Sequence, residues 1–161
     1  MRSEFRVGFG YDSHRFKEGR KLVLGGITIP HTKGLDGHSD ADAVLHAIID
    51  ALLGAAALGD IGAHFPDTDE RFKDVSSDSL LIEAVLLVRA RGYEPVNVDV
   101  TVIAEEPKLR PYVDPMRTRI AEVLGVDVDA ISVKGKTSEH MGPAGRGEGI
   151  EVHAVALLQR G

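Results

Sequence analysis

The chain has no cysteine and no tryptophan, and aromatic residues make up only 5% of it. Without thiols there are neither disulfides nor thiolate metal sites, so any metal must be held by imidazole nitrogen and carboxylate oxygen. Clustered cationic charge is also missing. Lysine and arginine are scattered, the formal net charge is −6 and the pI is near 5.6, which excludes a nucleic-acid-binding footprint. No apolar run is long enough to cross a bilayer, because aspartate and histidine interrupt the most apolar stretch. The opening Met1-Arg2-Ser3-Glu4-Phe5 lacks the hydrophobic segment of a secretory signal, so a cytoplasmic location is expected.

What remains is a chain of 161 residues, 43% hydrophobic, enough for one core that stands without cross-links. No internal repeat or linker divides it, and residues 1–161 are read as a single domain. Residues 5–11 read as a short strand, with Asp12-Ser13-His14-Arg15-Phe16 at its end. Residues 21–30 alternate around Gly25-Gly26 as a hairpin or bulge. The Ala- and Leu-rich residues 39–58 form a helix that Ser39 can cap, with Asp40 and Asp42 in its first turn. A second helix covers residues 77–91 and stops at Gly92; a third covers 113–124 and stops at Gly125. Strands are expected at 95–104, 131–136 and 151–158. The first leads into the turn Glu105-Glu106-Pro107, and the other two flank a polar loop at 137–149. The interleaving gives a compact α+β or α/β unit.

Several polar residues stand out against this frame. Asp42, His46 and Asp50 recur every four residues on an otherwise apolar helix and so share one stripe. That stripe is either a solvent edge or a functional face with His46 as a metal ligand. Asp12 and His14 are two apart, which puts them on one face of an extended segment. They either cap a turn and pack against Phe16, or grip an ion. With His46 they make a carboxylate and two imidazoles, a set that suits zinc and leaves a fourth position for substrate. His38 and Ser39 precede the helix, where free amides bind phosphate or Ser39 simply caps. The glycine- and acid-rich residues 59–69 read as a turn series or as a loop that binds hydroxyls. The final loop offers Thr137, Ser138, Glu139 and Arg146, whereas His31, His64, His140 and His153 have no partner motif.

Taken in order, these strings resemble the 2-C-methyl-D-erythritol 2,4-cyclodiphosphate synthases of non-mevalonate isoprenoid synthesis. They are Gly8-Phe9-Gly10-Tyr11-Asp12-Ser13-His14, Leu24-Gly25-Gly26, Gly37-His38-Ser39-Asp40-Ala41-Asp42, Leu52-Leu53-Gly54 through Ile61-Gly62, Phe65-Pro66-Asp67-Thr68-Asp69, Asn97-Val98-Asp99 and Gly145-Arg146-Gly147-Glu148-Gly149-Ile150. The likeness covers nearly the whole chain. It implies an α+β domain with a mixed sheet packed on helices, assembled as a homotrimer around a threefold axis with active sites between subunits. The implied reaction closes 4-diphosphocytidyl-2-C-methyl-D-erythritol 2-phosphate into the cyclic diphosphate and releases CMP. By the same likeness Asp12, His14 and His46 hold zinc, and Glu139 holds a second divalent ion, magnesium or manganese. His38 and Thr137 orient the phosphates. Ser39 lies beside them, Asp60, Gly62 and Asp69 match the loops around the erythritol and its 2-phosphate, Ala104 through Lys108 and Lys136 match the nucleotide pocket, and Ile61, Phe65 and Ser138 also bind substrate.

The chain departs from the family pattern at two places. Pro143 stands where many members carry Phe, and Lys136 where Thr is frequent. The first bears on a central cavity beside Arg146, where family members can hold an isoprenoid diphosphate. Two other readings use the same residues: a zinc phosphohydrolase with water as nucleophile, and a trimeric isoprenoid-binding module without turnover.

Overall fold

The first strand is twice as long as its apolar part. In the computed structural model, which describes residues 4–161, β1 runs Phe5–Glu18, so Asp12 and His14 lie within a strand and not at its end. The start Met1-Arg2-Ser3 lies outside the described residues. The strand continues because β7 (Gly149–Arg160) pairs with it antiparallel from Phe5 opposite Gln159 to Arg15 opposite Gly149. A complete backbone ladder carries polar side chains that local propensity alone would end at.

Strands β2 (Leu22–Leu24) and β3 (Ile27–Ile29) form the expected hairpin. Gly25 and Gly26 turn at φ of 61° and 77°, the two positive angles of a primed turn. Strand β4 (Lys33–Leu35) borders β1, and β5 (Tyr93–Ile103) borders β7. Strand β6 (Ile131–Lys136) runs parallel to β5, which makes the five-stranded sheet β4-β1-β7-β5-β6 mixed.

Helices α1 (Ala43–Ala55), α3 (Ser77–Ala90) and α4 (Arg110–Leu124) pack on one another and on this sheet. The shorter α2 (Ile61–His64) and α5 (Gly142–Gly145) sit in the connecting loops. Leu45, Ile48, Leu52 and Leu53 of α1 are buried in one core with Val98, Val100, Val152 and Ala154 of the sheet. Each large aliphatic side chain removed from water contributes on the order of 2 kcal/mol. The opposite sheet face leaves Phe5, Val7, Phe9, Tyr11 and Val155 exposed.

Two helix starts differ from the sequence reading, and α1 also ends at Ala55, short of residue 58. Helix α1 begins at Ala43 with Asp42 as its cap, not Ser39, because Ala41 adopts the left-handed φ of 57° and breaks the turn before it. Asp42 is fully buried and accepts the N–H of Leu45 at 3.0 Å, Gly25 at 2.9 Å and Gly26 at 2.8 Å, so one carboxylate caps the helix and anchors the hairpin. Helix α4 starts at Arg110, earlier than expected, with Pro111 in its first turn, where a missing N–H costs nothing. Among the described residues no helix is long and apolar enough to cross a membrane.

Candidate metal centre and active site

Glycine spacing in β1 decides where α1 lies. A Cβ on Gly8 would run into the carbonyl of Ala51, and one on Gly10 into the carbonyl of Ala47, so the helix rests directly on the strand backbone. Beyond Gly10 the strand carries Asp12 and His14, and beside Ala47 the helix carries His46. The close approach therefore brings the three side chains to one point.

Their donor atoms, one from each residue, all lie within 4.8 Å of one another. Asp12 Oδ2 is 2.8 Å from His14 Nε2 and 3.2 Å from His46 Nδ1. The Asp36 carbonyl sits 2.7 Å from His14 Nδ1, and since a carbonyl only accepts, Nδ1 carries the proton and Nε2 keeps its lone pair. His14 Nε2 is buried without a hydrogen-bond partner, although Asp12 Oδ2 lies 2.8 Å away. Burial pushes the Asp12 carboxyl up, but the two imidazoles outweigh it and hold the group below its usual value. Burial likewise pulls the His14 ring down, and the Asp12 carboxylate more than reverses it. A carboxylate and two imidazole nitrogens converging with an unpartnered atom fit a zinc-type ion with one coordination position open.

The triad borders a cavity of about 280 Å³ lined by His14, His38, Ser39, His46, Ile61, Gly62 and Phe65 among others. His38 Nε2 is buried there without a partner. The loop that carries it is pinned by Arg20, whose guanidinium donates to the carbonyls of Gly37 at 2.9 Å and Ser39 at 2.6 Å. Asp60 caps α2 by accepting from Ala63 N–H at 2.9 Å, and Asp69 pairs with Arg71 at 2.7 Å; neither lines this cavity. The expected polar stripe of α1 faces three different things. His46 enters the metal cluster, Asp42 holds the hairpin, and Asp50 accepts from the Ile61 N–H at 2.7 Å.

A second, larger cavity of about 810 Å³ is lined by Ala104, Glu105, Pro107, Lys108, Lys136 and Thr137 among others, and it shares no residue with the first. The loop that follows Thr137 holds Glu139 and His140 at left-handed φ of 54° and 63°. Glu105 stabilises that shape, accepting from the N–H groups of Ser138 at 3.1 Å and His140 at 3.2 Å. Arg146 pairs with Glu148 at 2.6 Å beside a third cavity near Phe16, His31 and Lys33. Within one chain, then, the residues singled out from sequence line separate cavities and loops. Arg20, Asp36 and Ser77 went unnoticed as site residues, because each acts through fold contacts far along the chain. Glu105 fell within the stretch Ala104 through Lys108 matched to the nucleotide pocket, and its local signal was read as the turn Glu105-Glu106-Pro107.

Comparison with known proteins shows which family the chain is similar to. The model of the YgbB family matches residues 5–159. The 2-C-methyl-D-erythritol 2,4-cyclodiphosphate synthase of Chromobacterium violaceum is 64% identical over 154 residues, which is 96% of this chain and 98% of that protein. The bifunctional IspDF from Campylobacter jejuni superposes with a TM-score of 0.96 at 43% identity; the match covers 99% of this chain and 43% of that one. A 2C-methyl-D-erythritol-2,4-cyclodiphosphate synthase solved in a CDP-bound form gives a TM-score of 0.88 at 40% identity over 95% of this chain and 99% of that one. On these matches the chain belongs to the YgbB family, the 2-C-methyl-D-erythritol 2,4-cyclodiphosphate synthases.

Proposed function

We propose that this chain converts 4-diphosphocytidyl-2-C-methyl-D-erythritol 2-phosphate to 2-C-methyl-D-erythritol 2,4-cyclodiphosphate with release of CMP, in the non-mevalonate isoprenoid pathway. The observation that carries this reading is the convergence of Asp12, His14 and His46 beside a cavity that His14, His38, Ser39 and His46 line. In the reaction an oxygen of the 2-phosphate attacks the β-phosphorus, the bond between the α- and β-phosphates breaks, and CMP leaves with the α-phosphate. Such chemistry asks the protein mainly for alignment and charge neutralisation.

Asp12, His14 and His46 would hold zinc, and Glu139 a magnesium or manganese ion. Divalent ions bound there neutralise charge on the phosphate oxygens. His38, whose ring Nε2 is buried without a partner, and the hydroxyl of Thr137 would orient phosphate oxygens. Ile61, Gly62 and Phe65, with Ser39, wall in the erythritol end, while Asp60 and Asp69 shape the loops behind it. Ala104, Lys108, Lys136 and Ser138 receive the nucleotide, a role supported by the CDP bound to a family member.

The working enzyme is a homotrimer with each active site completed by a neighbour, located in the cytoplasm. Two observations favour the trimer: the cavities assigned to the two ends of the substrate share no wall, and β1 exposes an apolar row of Phe5, Val7 and Phe9 that a partner would cover. An isoprenoid diphosphate would enter the axial cavity near Arg146, without the aromatic contact that Pro143 replaces. Incubation with the cytidine substrate tests the reading. CMP and a cyclic diphosphate are expected; release of inorganic phosphate would instead identify a hydrolase, and lipid diphosphate binding without CMP a binding module.

A further inference from the structure

Each imidazole of the metal cluster has two nitrogens, and a ligand is useful only if the correct one carries the lone pair. For His14 the backbone carbonyl of Asp36 makes that choice. For His46 the neighbour is Ser77, which opens α3 and is completely buried. Its hydroxyl lies 2.8 Å from His46 Nε2, closer than the Ser39 hydroxyl at 3.3 Å.

The direction of the Ser77 hydroxyl proton is fixed by Asp40. The Ser77 hydroxyl makes a short hydrogen bond to Asp40 Oδ1, and the Ser77 backbone N–H donates to Asp40 Oδ2 at 2.9 Å. A carboxylate only accepts, so the hydroxyl proton of Ser77 is committed to Asp40 and its oxygen is left as an acceptor. Asp40 Oδ1 also receives the N–H of Asp42 at 3.1 Å, which fixes the carboxylate in place. With an ion between Asp12 Oδ2 and His46 Nδ1, which lie 3.2 Å apart, Nδ1 would give its lone pair to the ion, and Nε2 would carry the proton and donate it to the Ser77 oxygen.

We propose that Ser77, held by Asp40, is a positioning residue that sets the tautomer and ring plane of His46 and so tunes the metal affinity of the site. The proposal rests on the reading of Asp12, His14 and His46 as metal ligands. It extends the site by one shell, across the packing of α3 on α1, to residues that touch neither metal nor substrate. Ser76, the neighbouring residue, offers the contrast: it caps α3 by accepting from Ser79 N–H at 3.4 Å and has no contact with His46.

The test is a competition titration of the metal-free full chain with Zn²⁺ against a chelator, together with the visible spectrum of the Co²⁺-substituted protein. Ser77→Ala is expected to bind Zn²⁺ about 10- to 100-fold more weakly and to shift the Co²⁺ bands. Asp40→Asn should move both readouts in the same direction by less. Ser76→Ala should lower the melting temperature while leaving Zn²⁺ affinity and the Co²⁺ bands as in the parent. If Ser77→Ala does not fold, Asp40→Asn decides. Parent-like affinity and spectrum in the folded variants overturn the positioning role alone. A parent protein that takes up no metal overturns the ligand reading beneath it.

Discussion

Gly10 lies so close to Ala47 that a methyl group on the glycine would occupy the space of the Ala47 carbonyl oxygen. This contact sets the distance between β1 and α1, and with it the distance between Asp12 on the strand and His46 on the helix. Gly10→Ala must push the helix away. Overpacking of this kind costs about 3 kcal/mol, and the shift should also lower bound zinc. Urea denaturation combined with metal analysis measures both. A variant with parental stability and parental zinc would show that the helix is not held by this contact.

Asp42 links stability to pH. Burial pushes its carboxyl up, to about 7, against the opposing pull of the Gly26, Leu45 and Gly25 N–H groups. A free aspartate titrates near 3.9, so the folded chain holds this proton more tightly than the unfolded one. The corresponding stability is complete below about pH 4 and is lost as pH rises through about 7. His14, raised by Asp12, adds a slope of the same sign in metal-free protein. Asp42→Asn should remove the Asp42 share of the slope and keep that of His14. It should also lose about 1–2 kcal/mol, because the Gly26 N–H no longer faces an acceptor. Denaturation midpoints of the metal-free protein between pH 4 and pH 8 test this; an unchanged slope in the variant contradicts it.

Glu105 connects the larger cavity to the loop that carries Glu139. Its oxygen accepts two backbone N–H groups that would otherwise compete with the left-handed turn at Glu139 and His140. Glu105→Ala should reduce kcat/KM by roughly tenfold, equivalent to about 1.4 kcal/mol. Glu105→Gln retains a carbonyl acceptor and should remain within about twofold of the parent. Steady-state kinetics on both variants decide the matter, and equal losses in the two would assign the effect to charge and not to loop shape.

Glu139 itself is the ligand assigned to the second ion. Glu139→Gln should shift the Mg²⁺ dependence of turnover to higher concentration, on the order of tenfold, with zinc content unchanged. An unaltered Mg²⁺ titration would remove Glu139 from that role.

Much of the architecture is legible in sequence because it depends on local chemistry. Gly25-Gly26 reports its hairpin, Gly92 and Gly125 report helix ends, and the spacing of Asp12 and His14 reports a shared face that survives even though β1 extends past them. What sequence does not carry is the outcome of competition between distant groups. Ser39 and Asp42 are both good helix caps, and Asp42 wins because the hairpin N–H groups need the same carboxylate. Asp42, His46 and Asp50 share one stripe by periodicity, yet their partners come from the hairpin, β1 and α2. Ser77 reads as an ordinary helix start, and its relation to His46 exists only once α3 packs on α1. The separation of the two cavities depends on tertiary distance, which no motif order encodes.

The most direct test of the central claim is elemental analysis of the purified parent and of His46→Ala, prepared in the same zinc-containing buffer, alongside CMP release. The geometry calls for a single zinc per chain in the parent. In the variant it calls for almost none, with catalysis lost and the circular dichroism spectrum retained. A folded His46→Ala protein with the parent's full zinc content would contradict the assignment of Asp12, His14 and His46 as the metal centre.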